Sequence, residues 1–256
     1  MKERGKCLQF RIECVNDKSD TLSRCGAPVT PFKLIDASFE HGATLRLYQR
    51  DHEFSIRVDK CGELMNSRLH NSEDVLAELA CEHLAGVKSP HLLIGGLGMG
   101  FTLRAALSHA SPAARVMVAE LVPAVVRWNR EYLGALAGFP LDDERVSVVE
   151  QDVGKVMHEH ENTFDAIMLD VDNGPEAFTR EDNDALYGFR GLNNAYDALK
   201  PGGVLTVWSA TPDTAFIQRM MKVGFDVEQR RVRAHASQRG NRHTIWIGIR
   251  PLYNLP

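Results

Sequence analysis

A glycine run and a set of carboxylates carry most of the chemistry this sequence can do. Leu92-Leu93-Ile94 runs straight into Gly95-Gly96-Leu97-Gly98-Met99-Gly100, and helical spacing resumes at once over Phe101–Ser108. A side chain at Gly95, Gly96, Gly98 or Gly100 would block close approach of backbone to a ligand, and a tight turn here calls for positive φ. The order strand, glycines, helix is the setting in which such a loop cradles a nucleotide. Glu120 ends the next apolar run, about 20 residues on, where an acid can accept both hydroxyls of an adenosine ribose. An exposed acid capping the helix near Pro123 is the plainer reading of the same residue. Asp152, with Val153 beside it, follows a third apolar run. There a carboxylate either reaches an adenine amino group or simply caps the next helix.

A fourth apolar run, Phe164-Asp165-Ala166-Ile167-Met168-Leu169, ends in Asp170-Val171-Asp172-Asn173-Gly174-Pro175. Ligands of open α/β sheets lie beyond the carboxyl ends of the strands. Asp170 is therefore expected to face the reacting carbon, orient an amine nucleophile and take its proton, with Asp172 and Asn173 as candidates beside it. A nicotinamide cofactor would use the same loop chemistry; this acid-bearing strand end turns the reading toward group transfer. Asp172, Glu176, Glu181, Asp182 and Asp184 add to an acidic mouth that favours a small cationic substrate. Glu181, Asp182 and Asp184 are read more simply as acids lining a helix N-terminus. Near the C-terminus the sign reverses at Arg230, Arg231, Arg233, His235, Arg239, Arg242 and His243. That run is read as a solvated edge guarded against aggregation, and nucleic acid is not expected as a partner.

The elements that must position these residues are legible from periodicity. Thr44–Gln49 and Phe54–Asp59 alternate apolar and polar residues as half-buried strands do, with Asp51-His52-Glu53 as the turn between them. Ser72, Glu73 and Asp74 look like the capped start of a helix reaching about Leu84. From His91 onward, apolar runs at His91–Ile94, Val116–Ala119, Val146–Val149, Ala166–Leu169 and Val204–Val207 alternate with helical segments such as Ala124–Leu136 and Asn183–Leu199. Strands interleaved with helices imply a parallel sheet covered on both faces. Phe225–Val232 and Thr244–Ile249 then follow each other with no helix between. The expected division is a flexible tail over 1–28, an antiparallel β unit over 29–70 and a doubly wound α/β domain over 71–256, closed by an antiparallel hairpin. Trp128 is expected to pack on the sheet; Trp208, at the end of the fifth strand, either stacks on a substrate or belongs to the core.

Composition sets the outer bounds. The chain has 256 residues, 44% of them hydrophobic, enough for a full core. Lys and Arg number 30 against 34 Asp and Glu, a net charge of −4, which argues against a surface built throughout for nucleic acid. No apolar run approaches the ~18–20 residues that span a bilayer, and no export signal is visible at the start. Cys7, Cys14, Cys25, Cys61 and Cys81 show no CxxC spacing and read as free thiols in the cytoplasm. No metal is expected.

Taken together, the glycine loop, Glu120, the Asp152 step, the Asp170 loop and Leu199-Lys200-Pro201-Gly202-Gly203-Val204-Leu205 resemble the spermidine synthase (polyamine aminopropyltransferase) family over roughly Lys33–Gly248. The resemblance implies a Rossmann-like class I methyltransferase fold carrying a small N-terminal β unit. It implies decarboxylated S-adenosylmethionine as donor, a polyamine acceptor and a homo-oligomer, in the first instance a dimer. Residue by residue, Glu120 resembles the ribose-binding acid, Asp152 the adenine-binding acid and Asp170 the catalytic base. The chain departs from the family in four places. Leu97-Gly98-Met99 stands where the loop carries an Asp, and Asn173 where a second Asp follows the base. The helix tyrosine is replaced around Leu76-Ala77-Glu78, and Trp208-Ser209 stands where a glutamine follows strand five. Three readings remain: an aminopropyltransferase-like enzyme, a methyltransferase using S-adenosylmethionine itself, and a non-catalytic nucleoside-binding protein.

Overall fold

The computed structural model describes residues 30–59, 61–68, 70–171, 186–210, 212–233 and 242–252. Tail residues 1–28, Asp172, Asn173 and the acids from Glu176 to Asp184 lie outside them. The chain divides after Arg68 into two compact units. The first is an antiparallel meander of β1 (Lys33–Glu40), β2 (Ala43–Arg50), β3 (Glu53–Val58) and β4 (Gly62–Asn66), paired in sequence order. Leu45 and Leu47 stand opposite Val58 and Ile56, and all four are buried. Alternation picks out β2 and β3 but misses the flanking strands. Strand β1 exposes Leu34 and Phe39, so its apolar residues do not mark a single inward face.

The second unit is built on a seven-stranded sheet of order β10-β11-β9-β8-β5-β6-β7. Its strands are β5 (His91–Gly95), β6 (Arg115–Ala119), β7 (Val146–Val149), β8 (Phe164–Leu169), β9 (Leu199–Ser209), β10 (Asp226–Arg233) and β11 (Arg242–Ile249). The first five are parallel, and β11 and β10 add an antiparallel hairpin at one edge. Strand β5 is the middle one of the five parallel strands, with β6 on one side and β8 on the other. The winding direction therefore reverses between β5 and β8, and that switch point is where open sheets of this type leave a crevice.

Both faces are covered, as the continuous apolar runs require. Helices α1 (Asn71–His83), α2 (Phe101–His109) and α3 (Pro123–Trp128) pack Leu76, Ala80, Leu103, Ala106 and Val125 against Leu92, Ile94, Val118, Met168 and Val204. On the other face, α4 (Val153–Glu159), α5 (Phe189–Ala198) and α6 (Thr214–Val223) pack Val156, Leu192 and Phe216 against Leu93, Ile167, Leu205 and Trp246. Side chains alternate along a strand. The parity that turns Met168, Val118, Val204 and Ile245 toward α1–α3 also turns Asp170, Glu120, Trp208 and His243 to that face.

Two local expectations need correction. Ser72 is not the cap of α1: His70 occupies that position, and Ser72 sits inside the first turn. The helix expected over Ala124–Leu136 stops as an α-helix at Trp128 and continues as a π-turn, Asn129–Leu133, and a 3₁₀ turn, Gly134–Leu136. The break coincides with Asn129, whose side-chain amide donates to the carbonyls of Val125 and Gly98. Trp128 is fully buried, as its packing role requires. Among the described residues no helix is long and apolar enough to cross a membrane.

Candidate active site

The glycine loop is shaped by what lies under it. Gly96, Gly98 and Gly100 have φ of 90°, 52° and 83°, the left-handed region that favours glycine. A Cβ on Gly96 would lie 2.4 Å from the backbone oxygen of Asp170, and one on Gly95 would lie 2.8 Å from Val153 Cγ2. The loop is tied to both neighbouring strands: Gly96 N donates to Ala119 O and Asp170 N donates to Gly95 O, each at 2.9 Å. The tip of β8 thus passes directly against the first turn of the loop. From behind, Asn129 Nδ2 donates to Gly98 O at 2.8 Å. Sequence reading gave Asn129 no role; π-turns at functional sites are a recurring feature, but a single sequence does not show one.

Glu120 is buried, not the exposed acid of the plainer reading. Its Oε2 accepts from Leu97 N in the glycine loop and its Oε1 from Val122 N ahead of α3, both at 2.8 Å. Burial raises its pKa, while the N–H groups of Leu97, Val122, Leu121 and Gly98 pull the other way. Asp152 caps α4, its Oδ1 accepting from Lys155 N at 2.9 Å. Val153, the first residue of that helix, is buried against Gly95.

At the tip of β8, Asp170 Oδ2 accepts a 2.6 Å hydrogen bond from Thr102 Oγ1 in the first turn of α2. Burial pushes the Asp170 carboxyl up to about 6, with the Thr102 hydroxyl opposing. A second acid was missed by sequence reading. Glu73, in the first turn of α1, is pushed up to about 8, first by burial and then by the charge of Asp170. Its Oε2 accepts from Ser72 Oγ at 2.6 Å, and Ser72 Oγ lies 3.0 Å from His243 Nδ1 on β11. The His243 ring stands edge-on to Trp208, with centroids 4.8 Å apart; Trp208 itself packs on the α1-side core. Ser72 and Glu73 read as helix-start residues and His243 as part of a basic run, so no local signal separated them from structural roles.

A family model described as the spermine/spermidine synthase domain matches residues 74–230. The chain belongs to that family. Curated members similar to it include the polyamine aminopropyltransferase of Thermoanaerobacter sp. (strain X514), 34% identical over 123 residues, 47% of this chain and 41% of that protein. Polyamine aminopropyltransferase 2 of Pseudomonas aeruginosa is 35% identical over 120 residues, 45% of this chain and 32% of its own. The matched stretch thus spans less than half the length of these relatives. Among solved members of the spermine/spermidine synthase family, the spermidine synthase of Thermotoga maritima superposes with a TM-score of 0.69 at 18% identity, covering 86% of this chain and 74% of that one. A spermidine synthase in complex with the transition-state analogue AdoDATO gives 0.68 at 18% identity, over 86% and 73%. These likenesses establish the doubly wound sheet with its C-terminal hairpin as the family's class I methyltransferase-like fold.

Proposed function

We propose that this protein transfers an aminopropyl group from decarboxylated S-adenosylmethionine to the nitrogen of a small cationic amine. The observation that carries the reading is the arrangement at the switch point. Glu120 reaches the glycine loop through Leu97 N, Asp170 passes against Gly96, and both acids turn to the same face of the sheet. In this reading the loop backbone lies along the adenosyl group, Glu120 accepts the ribose hydroxyls, and Asp152 receives the adenine amino group on its second oxygen while capping α4. Asp170 orients the attacking amine. The nitrogen lone pair forms the new N–C bond as the C–S bond of the sulfonium breaks, methylthioadenosine leaves as a neutral thioether, and the nitrogen's proton passes to the carboxylate. The family membership and the relatives named polyamine aminopropyltransferase support this donor and acceptor class. Asp172 and Asn173 are proposed to border the acceptor.

Incubation with the decarboxylated donor and a panel of linear diamines should release methylthioadenosine. Asp170→Asn should lower kcat/KM by ~10²–10⁴, the usual loss for a removed general base. No release with any diamine would overturn the reading. A second reading, methyl transfer from S-adenosylmethionine, is favoured by one feature: Gly98 leaves the middle of the loop without a carboxylate for the donor's amine. Calorimetry with the two donors separates them, since tighter binding of the decarboxylated form supports aminopropyl transfer. We place the protein in the cytoplasm as a homodimer; light scattering at the mass of one chain would refute the dimer.

A further inference from the structure

Glu73 and Asp170 come from different elements, the first turn of α1 and the tip of β8, and α2 joins them. His70 at the start of α1 stacks on Phe101 with ring centroids 4.5 Å apart, the next residue, Thr102, donates to Asp170, and the charge of Asp170 is felt at Glu73. The other ionisable groups around them are accounted for. On α1, Asp74 accepts from His70 Nδ1 at 2.9 Å and pairs with Arg104 of α2. On α2, Thr102 donates to Asp170. On β10, Arg233 meets α1 through its backbone oxygen, which takes the Asn71 amide. On β11, His243 has its pKa lowered by burial, and Arg242 is exposed at the start of the strand. Among the described residues no lysine or arginine pairs with Glu73. Two half-buried carboxylates with no cation between them among the described residues do not both stay ionised.

The hydrogen bonds that hold Glu73 have a direction. A serine hydroxyl has one proton, and that of Ser72 points at Glu73 Oε2. The 3.0 Å contact to His243 is then satisfied when Nδ1 carries the hydrogen and Ser72 Oγ accepts it. Imidazole, hydroxyl and carboxylate form a chain of donors ending on Glu73, which fixes the acid from one side and leaves Oε1 for other partners.

We infer that Glu73 is a second carboxylate of the acceptor site, acting with Asp170 as one pair that binds a primary ammonium and takes its proton, with Ser72 and His243 as the positioning residues that hold it. The inference rests on the transferase reading and deepens it by assigning the acceptor's charge. An ammonium has three N–H donors and no acceptor, a match for two carboxylates acting together. The raised carboxyl affinities mean that the empty pair holds one proton near neutral pH. An entering ammonium takes the place of that proton, which leaves to solvent; the ammonium then gives one of its own protons to the pair, and the neutral amine so formed attacks with its lone pair. The proton count is unchanged over the step, and no other reactant is required.

The test separates this inference from the reading beneath it. Carboxyl carbons labelled with ¹³C, with Glu73 assigned through Glu73→Gln, are titrated by NMR in the full-length protein. Glu73 should be protonated at pH 7 with a midpoint near 8. That midpoint should fall in Asp170→Asn, which removes the opposing charge, and rise in Ser72→Ala, which removes a donor to the carboxylate. A midpoint in the ordinary glutamate range, or one indifferent to Asp170→Asn, overturns the pair. In steady state with 1,4-diaminobutane, Glu73→Gln should raise the amine KM about tenfold or more, as loss of a charged hydrogen bond does, and leave the affinity for methylthioadenosine unchanged. An unchanged amine KM overturns the assignment to the acceptor. Absence of turnover in the wild-type protein counts against the transferase reading, while the titration still decides whether the pair exists.

Discussion

Glu120 and Asp170 follow the two strands that flank β5, one buried and one half-buried, and burial raises both carboxyl pKa values. Their surroundings differ in kind. Backbone N–H groups surround Glu120, and such donors cannot move or change charge. One hydroxyl serves Asp170, and its electrostatic neighbour is another acid, Glu73. A carboxylate embedded in fixed dipoles is suited to holding a neutral ligand through hydroxyl groups. One that competes with a second carboxylate for a single proton is suited to exchanging that proton. In the proposed reading the same chemical group, a carboxylate at equivalent strand ends, is divided between a binding end and a reacting end by its partners.

The largest effect should come from the point where the two ends touch. Gly96→Ala places a Cβ 2.4 Å from Asp170 O at a φ of 90°. The backbone conformation alone costs about 1–3 kcal/mol for a residue with a side chain, and the clash adds to it. A lower Tm and loss of measurable nucleoside binding by calorimetry are expected; a variant that binds normally would show that the loop does not lie against the ligand.

Next, the two acids should fail differently. Glu120→Gln should weaken methylthioadenosine binding by ~10–100-fold, the equivalent of 1.5–3 kcal/mol for a charged hydrogen bond, and leave the amine KM in place. Asp170→Asn should do the reverse, losing turnover while the nucleoside still binds. Equal losses of both properties in both variants would erase the contrast.

The last effect concerns stability and is read as a pH dependence. Burial and the charge of Asp170 push the Glu73 carboxyl from an ordinary 4.5 up to about 8, so its proton is held more tightly in the folded chain. Its stabilising contribution is complete below the unfolded value and is lost as pH rises through the folded one. Thermal melts should show Glu73→Gln gaining on the wild type between about pH 4.5 and 8. A difference in Tm that stays constant over that range would remove Glu73 from the account.

Much of the proposed binding end is legible in the sequence because its signals are local. Glycines directly after an apolar run, and acids directly after the next two, state their own places once the strands are recognised. The reacting end was legible only at Asp170. Glu73 and Ser72 carry the signature of a helix start, which is also where they sit, and nothing nearby shows that α1 aims that turn at β8. His243 lies far along the chain on an edge hairpin and becomes relevant only when β11 pairs with β9. Asn129 was hidden because helical spacing alone does not register a π-turn. The strands β1 and β4 escaped for a related reason: their side chains do not sort into one buried and one exposed row.

A crystal structure with methylthioadenosine bound tests the central claim most directly. The account predicts ribose hydroxyls on Glu120, adenine beside Asp152, the ligand backbone over Gly96 and Gly98, and the sulfur substituent turned toward Asp170 and Glu73. A nucleoside bound elsewhere, or one whose sulfur faces away from Asp170, would contradict it.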